Sequence, residues 1–413
     1  MADRTLLVVS QRPLDLGGGG SVRWLHLRRV LPQHGWRVLE CSGRIGAGAD
    51  DAAVDPRAAR LVAHRARVTG IAGRVLDPLA RTIGVQPEAL APNNAWALTG
   101  RRAVRKGIEQ GKPDVVLATI PPPSGLLAAA TTVGDTPFVA EFRDLWAGAP
   151  YFDRGGRLLP RLETKALAHA DAVVTVTDGF RDRLLSLHPE IASRLHVLPN
   201  GFDPTLLARR RPVGSGRNSR ATLIHAGALY GDRTAVSLLS ALAQPELRER
   251  VRLELVGVVD PETRRAQTAA RDIDVVIEPP VSWETAIERS LDADIAVVIN
   301  TPGTGGDIGQ VPGKVYEVLA LGRPVLGLMR PESDAGRLLK RFGQGVGLAP
   351  PDDPDAIAAA IERLLDSPPE PAAPDALAEF DRDRIAARYA ALLDEVATRS
   401  SSSTSSGTTL SRR

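Results

Sequence analysis

The chain has 413 residues, more than one ordinary hydrophobic core accommodates, so two domains are expected. With 43% hydrophobic and 24% charged residues it reads as a globular protein, and a net charge of +3 over this length is too weak a field to point to nucleic acid. No apolar run approaches the roughly 20 residues that span a bilayer and no signal-type segment opens the chain, so a cytoplasmic location is expected. The single cysteine, Cys41, excludes an internal disulfide framework and any cysteine-built zinc site, and reads as a small buried hydrophobe. All but five of the 52 Lys and Arg residues are arginine, so an arginine cluster by itself carries little weight.

The first predicted strand, residues 6–9, leads into "DLGGGGSVRW", residues 15–24, four consecutive glycines ahead of an amphipathic stretch. After a parallel strand such a run is either a flexible loop or a tight turn that offers backbone N–H groups at a helix N-terminus to a phosphate or sugar oxygen. Residues 55–81 interleave apolar residues with six arginines, which suits a solvated helical region or a peripheral contact with anionic lipid at the inner face of a membrane. A strand over 115–119 runs into three prolines and Ser124, which can cap a helix over 124–131, although the prolines alone make a rigid turn. The strand over 138–141 ends in Glu141, Arg143 and Asp144, a grouping that serves either a cleft or a structural ion pair. A helix over 158–170 and a strand over 172–176 continue the alternation, and "LHVLPNGFDP", residues 195–204, is a strand closed by an Asn-Gly turn.

Residues 209–220, "RRRPVGSGRNSR", have no hydrophobic period and read as a connector or exposed loop. Beyond them strands are predicted over 221–225, 253–256, 275–277, 295–299 and 324–328, with helices over 235–243, 283–290, 314–320 and 355–365. In "LIHAGALYGDRTAVSLLSAL", residues 223–242, a strand leads into a loop containing Gly227 and Arg233. That loop can hold a diphosphate between its amides and the guanidinium, or can simply pair Arg233 with Asp232. In "VPGKVYEVLALGRPVLG", residues 311–327, Lys314 and Glu317 lie three apart near a helix start. They suit an ordinary ion pair, or an amine for phosphate and a carboxylate for the two hydroxyls of a ribose.

Continuous apolar strands separated by helices predict an α/β protein of two doubly wound parallel-sheet domains. The expected divisions are 1–200, 201–380, a helix over 381–397 packing back on the first domain, and a Ser/Thr-rich tail over 398–413 with nothing to bury. The helix places Ile385, Tyr389, Leu392 and Val396 on one face.

Taken in order, five segments resemble the retaining, nucleotide-sugar-dependent glycosyltransferases of family four, whose GT-B fold sets two Rossmann-like domains facing across a cleft. They are "GGGGSVRWLHLRRVLPQHGWRV", "PDVVLATIPPPSGLLAA", "FVAEFRDLW", "VLPNGFDP" and "VPGKVYEVLALGRPVLG". The second and third look most like the branch that builds bacterial polysaccharides and glycosides. The resemblance implies transfer of a sugar from a nucleoside diphosphate sugar to an acceptor hydroxyl, with retention and without a metal or other cofactor. It implies that Gly19 and Gly20 approach the donor diphosphate and sugar, that Arg233 and Lys314 neutralise the diphosphate, and that Glu317 holds the ribose. Arg143 and Asp144 would meet the acceptor hydroxyl.

Two positions depart from the family pattern. Gly309 stands eight residues before Glu317, where many members have a first glutamate, and Ala228 stands where an arginine is usual. Asp307 or backbone amides within 301–310 are the candidates to recognise the transferred sugar instead. The departures keep two alternatives open, a noncatalytic nucleotide-sugar-binding protein of the same fold and a sugar-nucleotide epimerase that needs no acceptor. A Rossmann oxidoreductase is disfavoured, because the glycine run fails the G-x-G-x-x-G spacing and Glu40 is a lone acidic match. Asp292 and Asp294 lead directly into an apolar strand and make a poor metal site.

Overall fold

The computed structural model describes residues 4–11, 14, 19–42, 92–149, 158–212, 220–270, 272–304 and 309–405. The chain divides into two compact units, Met1–Pro199 with Arg382–Arg413, and Asn200–Asp381. The first is built on strands β1 (Arg4–Ser10), β2 (Trp36–Ser42), β3 (Val115–Ile120), β4 (Phe138–Phe142), β5 (Ala172–Thr175) and β6 (Leu195–Val197). All neighbours are parallel, in the order β2-β1-β3-β4-β5-β6. Its described helices are α1 (Gly19–Val30), α2 (Pro92–Gly111), α3 (Ser124–Ala130), α4 (Leu158–Leu167) and α5 (Asp178–Leu187). Strands β3 and β4 are buried at every position, because helices cover both faces of a parallel sheet. The strand order reverses between β1 and β3, which leaves the ends of those two strands open to a ligand.

The second unit repeats the plan with β7 (Ala221–Ala226), β8 (Val251–Val256), β9 (Asp274–Glu278), β10 (Ile295–Ile299), β11 (Val325–Leu328) and β12 (Leu348–Ala349). The spatial order β12-β11-β10-β7-β8-β9 puts the reversal between β7 and β10. Its helices are α6 (Val236–Leu242), α7 (Pro245–Arg248), α8 (Pro261–Ala269), α9 (Trp283–Asp292), α10 (Gly313–Leu321), α11 (Asp334–Arg341) and α12 (Pro354–Asp366). Several begin where the sequence supplies a capping side chain: Asp260, Ser282, Ser333 and Asp353 each accept a backbone N–H of the first turn. Helix α10 begins instead at Pro312, which makes no side-chain cap bond. Its other end is closed by Gly322, at φ +69°, and by Arg210, which donates to the carbonyls of Ala320 and Leu319 at 2.8 and 3.1 Å.

The last helix, α13 (Arg382–Ser405), belongs to the first unit. Ile385, Tyr389, Leu393 and Val396 share one buried cluster with Trp24, Leu27 and Trp36. Tyr389 meets Trp24 edge-on at 5.9 Å, and Trp36 Nε1 donates to Asp394 at 3.0 Å. The helix takes in the first eight residues of the expected tail, 398–405. A Thr398 hydroxyl bond to Asp394 O and an Arg399–Glu395 ion pair secure that turn, and no glycine or proline intervenes before Gly407.

The arginines of 209–211 form part of the second unit and do not connect the two. Arg209 and Arg211 pair with Glu288, and Arg211 also with Asp292 at 2.8 Å. The chain crosses between units at 199/200 and 381/382. The segment 55–81, most of the expected connector and residues 406–413 lie outside the described residues. Among the described residues no helix is long and apolar enough to cross a membrane. Cys41 is buried in β2, which pushes its thiol up to about 12.

Candidate functional site

The polar groups of the second unit converge where β7 and β10 part. Lys314, in the first turn of α10, reaches back to the end of β7. Its Nζ donates to Ala226 O at 2.9 Å and lies 3.5 Å from His225 Nε2. This approach depends on residue 227 being glycine, because a Cβ there would stand 2.2 Å from Nζ. Gly257, at φ +142° on the neighbouring strand end, would in turn place a Cβ 2.2 Å from Gly227 O. Burial and then the Arg233 charge lower the Lys314 amine to about 8, against the pull of Glu317 one turn along. Glu317 itself accepts from Trp283 Nε1 at 3.0 Å.

His225 is buried, with Nδ1 3.1 Å from Val297 O. A carbonyl only accepts, so Nδ1 carries the proton and Nε2 faces Lys314 as an acceptor. Burial, Lys314 and Arg233 all hold this imidazole well below its ordinary range, so it is neutral.

Arg233 lies in the loop after β7. It donates to Gln310 Oε1 at 2.6 Å and to Asn300 Oδ1 at 3.4 Å, and its guanidinium sits 5.2 Å from the ring centre of Tyr230. Asp232 bonds not to Arg233 but to Thr301 Oγ1 at 2.8 Å and Gly303 N at 2.6 Å. Two adjacent residues thus hold the two ends of the segment 301–310. Gly309 has φ +95°, a conformation that a side chain such as glutamate rarely adopts. Asp307 lies outside the described residues, and Ala228 is exposed.

In the first unit, Gly19 and Gly20 open α1 after β1, where the first-turn N–H groups have no partner within the helix. Gly17 and Gly18 lie outside the described residues. Ser124 does not cap its helix: the N-cap is Pro123, and the serine hydroxyl donates to Gln11 at 2.7 Å, tying the start of α3 to the segment after β1. Of the three charged residues closing β4, Glu141 is fully buried. It accepts from Arg23 Nε at 3.0 Å, Trp24 Nε1 at 2.7 Å and the Tyr389 hydroxyl at 2.9 Å. Burial alone would raise this carboxyl, but Arg23, Arg143 and bonds from Thr119 and Trp24 outweigh it and hold it below its usual value. Arg143 donates to Thr119 Oγ1 at 2.8 Å and Pro121 O at 3.1 Å, with Asp144 beside it.

The structure therefore brings Gly227, Arg233, Lys314 and Glu317 together, and adds His225, Asn300, Gln310 and Trp283. The signal for His225 is one polar residue near the end of an otherwise apolar strand, immediately before the glycine turn. The other three carry none, because they join the site only through tertiary contacts.

The Glycosyltransferase Family 4 model matches residues 17–206, and the Glycosyl transferases group 1 model matches residues 220–367. No curated protein sequence matches the chain. Among solved structures, sucrose-phosphate synthase from Thermosynechococcus elongatus is 16% identical at TM-score 0.60, over 98% of both chains. Anabaena HepE in complex with UDP is 16% identical at TM-score 0.59, over 95% of this chain and 100% of its own. The α,α-trehalose 6-phosphate synthase of Burkholderia multivorans is 13% identical at TM-score 0.59, over 100% and 99%. Two six-stranded parallel sheets, the polar cluster at the β7 end and two glycosyltransferase family matches spanning most of the sequence agree. The chain belongs to the family-four-like glycosyltransferases and has the GT-B fold.

Proposed function

We propose that this enzyme moves a sugar from a nucleoside diphosphate sugar to an acceptor hydroxyl, with retention of anomeric configuration and without a metal ion, in bacterial glycan or glycoside synthesis. The observation that carries the donor half of the reading is the pair of cations, Lys314 and Arg233, gathered with Glu317 at the end of β7. When the glycosidic bond to the diphosphate breaks, negative charge grows on the leaving phosphate oxygens, and fixed positive groups lower that barrier most effectively. Two of the three Lys314 N–H donors go to Ala226 O and His225. The third suits a phosphoryl oxygen, and the start of α10, without a side-chain cap, adds backbone N–H groups. Glu317, oriented by Trp283, suits the vicinal hydroxyls of a ribose. In the first unit the N–H groups of Gly19 and Gly20 suit a phosphate or sugar oxygen, and Arg143 and Asp144 suit the acceptor hydroxyl.

HepE structures with UDP and with UDP-glucose make uridine nucleotides the first probes. A titration with UDP, GDP and dTDP should show binding of at least one, weakened roughly tenfold or more in Lys314→Ala and Glu317→Ala, as expected for a lost bond to a charged group. Equal affinities in wild type and both variants would overturn the site. Nucleoside diphosphate release from the matching donor should continue in excess chelator, and the anomeric proton coupling of the product should match that of the donor. Asp144→Asn should slow transfer while leaving nucleotide affinity unchanged.

A further inference from the structure

The β7–β10 ladder pairs Leu223 with Ile295 and Ile224 with Ala296 and goes no further. At the next residue the strands are joined by a side chain, the His225 imidazole bonded to Val297 O. Strand alternation gives His225 the same face as Leu223, which packs in the apolar core. A leucine or valine would continue that face at no polar cost, whereas a buried imidazole is tolerated only when both nitrogens have partners. Both have them: the carbonyl of Val297 at 3.1 Å and the Lys314 amine at 3.5 Å.

We propose that His225 is a positioning residue for Lys314, its ring fixed in the Nδ1–H tautomer by the Val297 carbonyl so that Nε2 always presents an acceptor to the lysine ammonium. The inference rests on the reading of Lys314 as a diphosphate ligand. A carboxylate at this position would also hold the amine, but it would cancel the charge that the phosphate needs. A neutral acceptor places the cation and leaves its charge intact. The charged groups around the ring all favour this state. Lys314 faces it from α10 and Arg233 from the loop after β7, and both disfavour a second proton on the ring. Glu317, also on α10, acts on Lys314 in the opposite sense and keeps the amine protonated.

The test measures UDP, GDP and dTDP affinity against pH for wild type, His225→Leu and His225→Gln, together with the ¹⁵N imidazole spectrum of the wild type without ligand. Wild-type affinity for the nucleotide that binds should be level at neutral pH and fall as pH rises through about 8, where Lys314 loses its proton. The leucine variant should bind roughly tenfold weaker at neutral pH, with the falling limb displaced by about one unit to lower pH, because the ammonium has lost an acceptor. The glutamine variant, whose amide can donate to Val297 and accept from Lys314, should recover most of both. The spectrum should show the proton on Nδ1 and no titration from about pH 5.5 to about 8.5. A leucine profile superimposable on the wild type, or a ring that titrates in that range or carries its proton on Nε2, would overturn the proposal. Absence of binding by all three nucleotides at any pH would instead remove the donor reading, and the imidazole spectrum would still decide the state of His225.

Discussion

At position 227 one methyl group would collide with the amine on which the proposed donor site depends, at 2.2 Å from Lys314 Nζ. The obstructed atom is the end of a flexible side chain, so Gly227→Ala should swing Lys314 aside and leave the fold intact. Nucleotide affinity should fall roughly tenfold, with little change in melting temperature, when titration calorimetry and thermal melting are run on the same preparation. A large drop in melting temperature would mean that the glycine serves the β7–β8 approach instead. At this scale the sequence was readable where chemistry depends on residue type at short spacing, as in Lys314 and Glu317 three apart on one helix. It was not readable where a partner comes from another element. Arg233 offered two equal partners, a diphosphate or Asp232, and the structure shows its guanidinium on Gln310 and Asn300, about 70 residues away in the chain.

Among the elements, β4, α1 and α13 are tied through one fully buried carboxylate. Glu141→Ala would leave the Arg23 guanidinium, 1% exposed, with the Pro199 carbonyl but without its carboxylate partner, which should cost about 3–5 kcal/mol in a denaturant melt. The folded carboxyl is held below its ordinary value of 4.5, so the stability it contributes is present above that value and is lost as pH falls through the folded pKa. Acid unfolding should therefore be steeper in wild type than in Glu141→Gln, which starts lower and lacks this titration. Helix α10 has a comparable dependence at its far end: Arg210→Met removes bonds to Leu319, Ala320 and Ala372 carbonyls and should cost about 2 kcal/mol. Both arginines illustrate why composition was a poor guide. In a chain so rich in arginine, a triplet such as 209–211 looks like a solvated loop until the helix ends and carboxylates it meets are known.

For the whole molecule, the return of α13 to the first unit makes the ends of the sequence interdependent. A chain stopped after Asp381 would uncover the apolar face of α1 and β2 around Trp24 and Trp36, and the first unit should lose its cooperative melt by circular dichroism. A chain stopped after Arg399 retains Ile385, Tyr389, Leu393 and Val396 and should melt like the full length. If the shorter chain also melts normally, α13 is an accessory to the core and not part of it. The sequence alone determined the α/β alternation, the positions of most strands and the buried face of the last helix, because these follow from hydrophobic period and turn residues within a few positions of each other. Only the tertiary structure decided which strands lie side by side, that Glu141 is a core group, and that His225 faces Lys314. Those outcomes depend on parallel crossovers that bring together residues distant in the chain, and no local pattern encodes which pairs will meet.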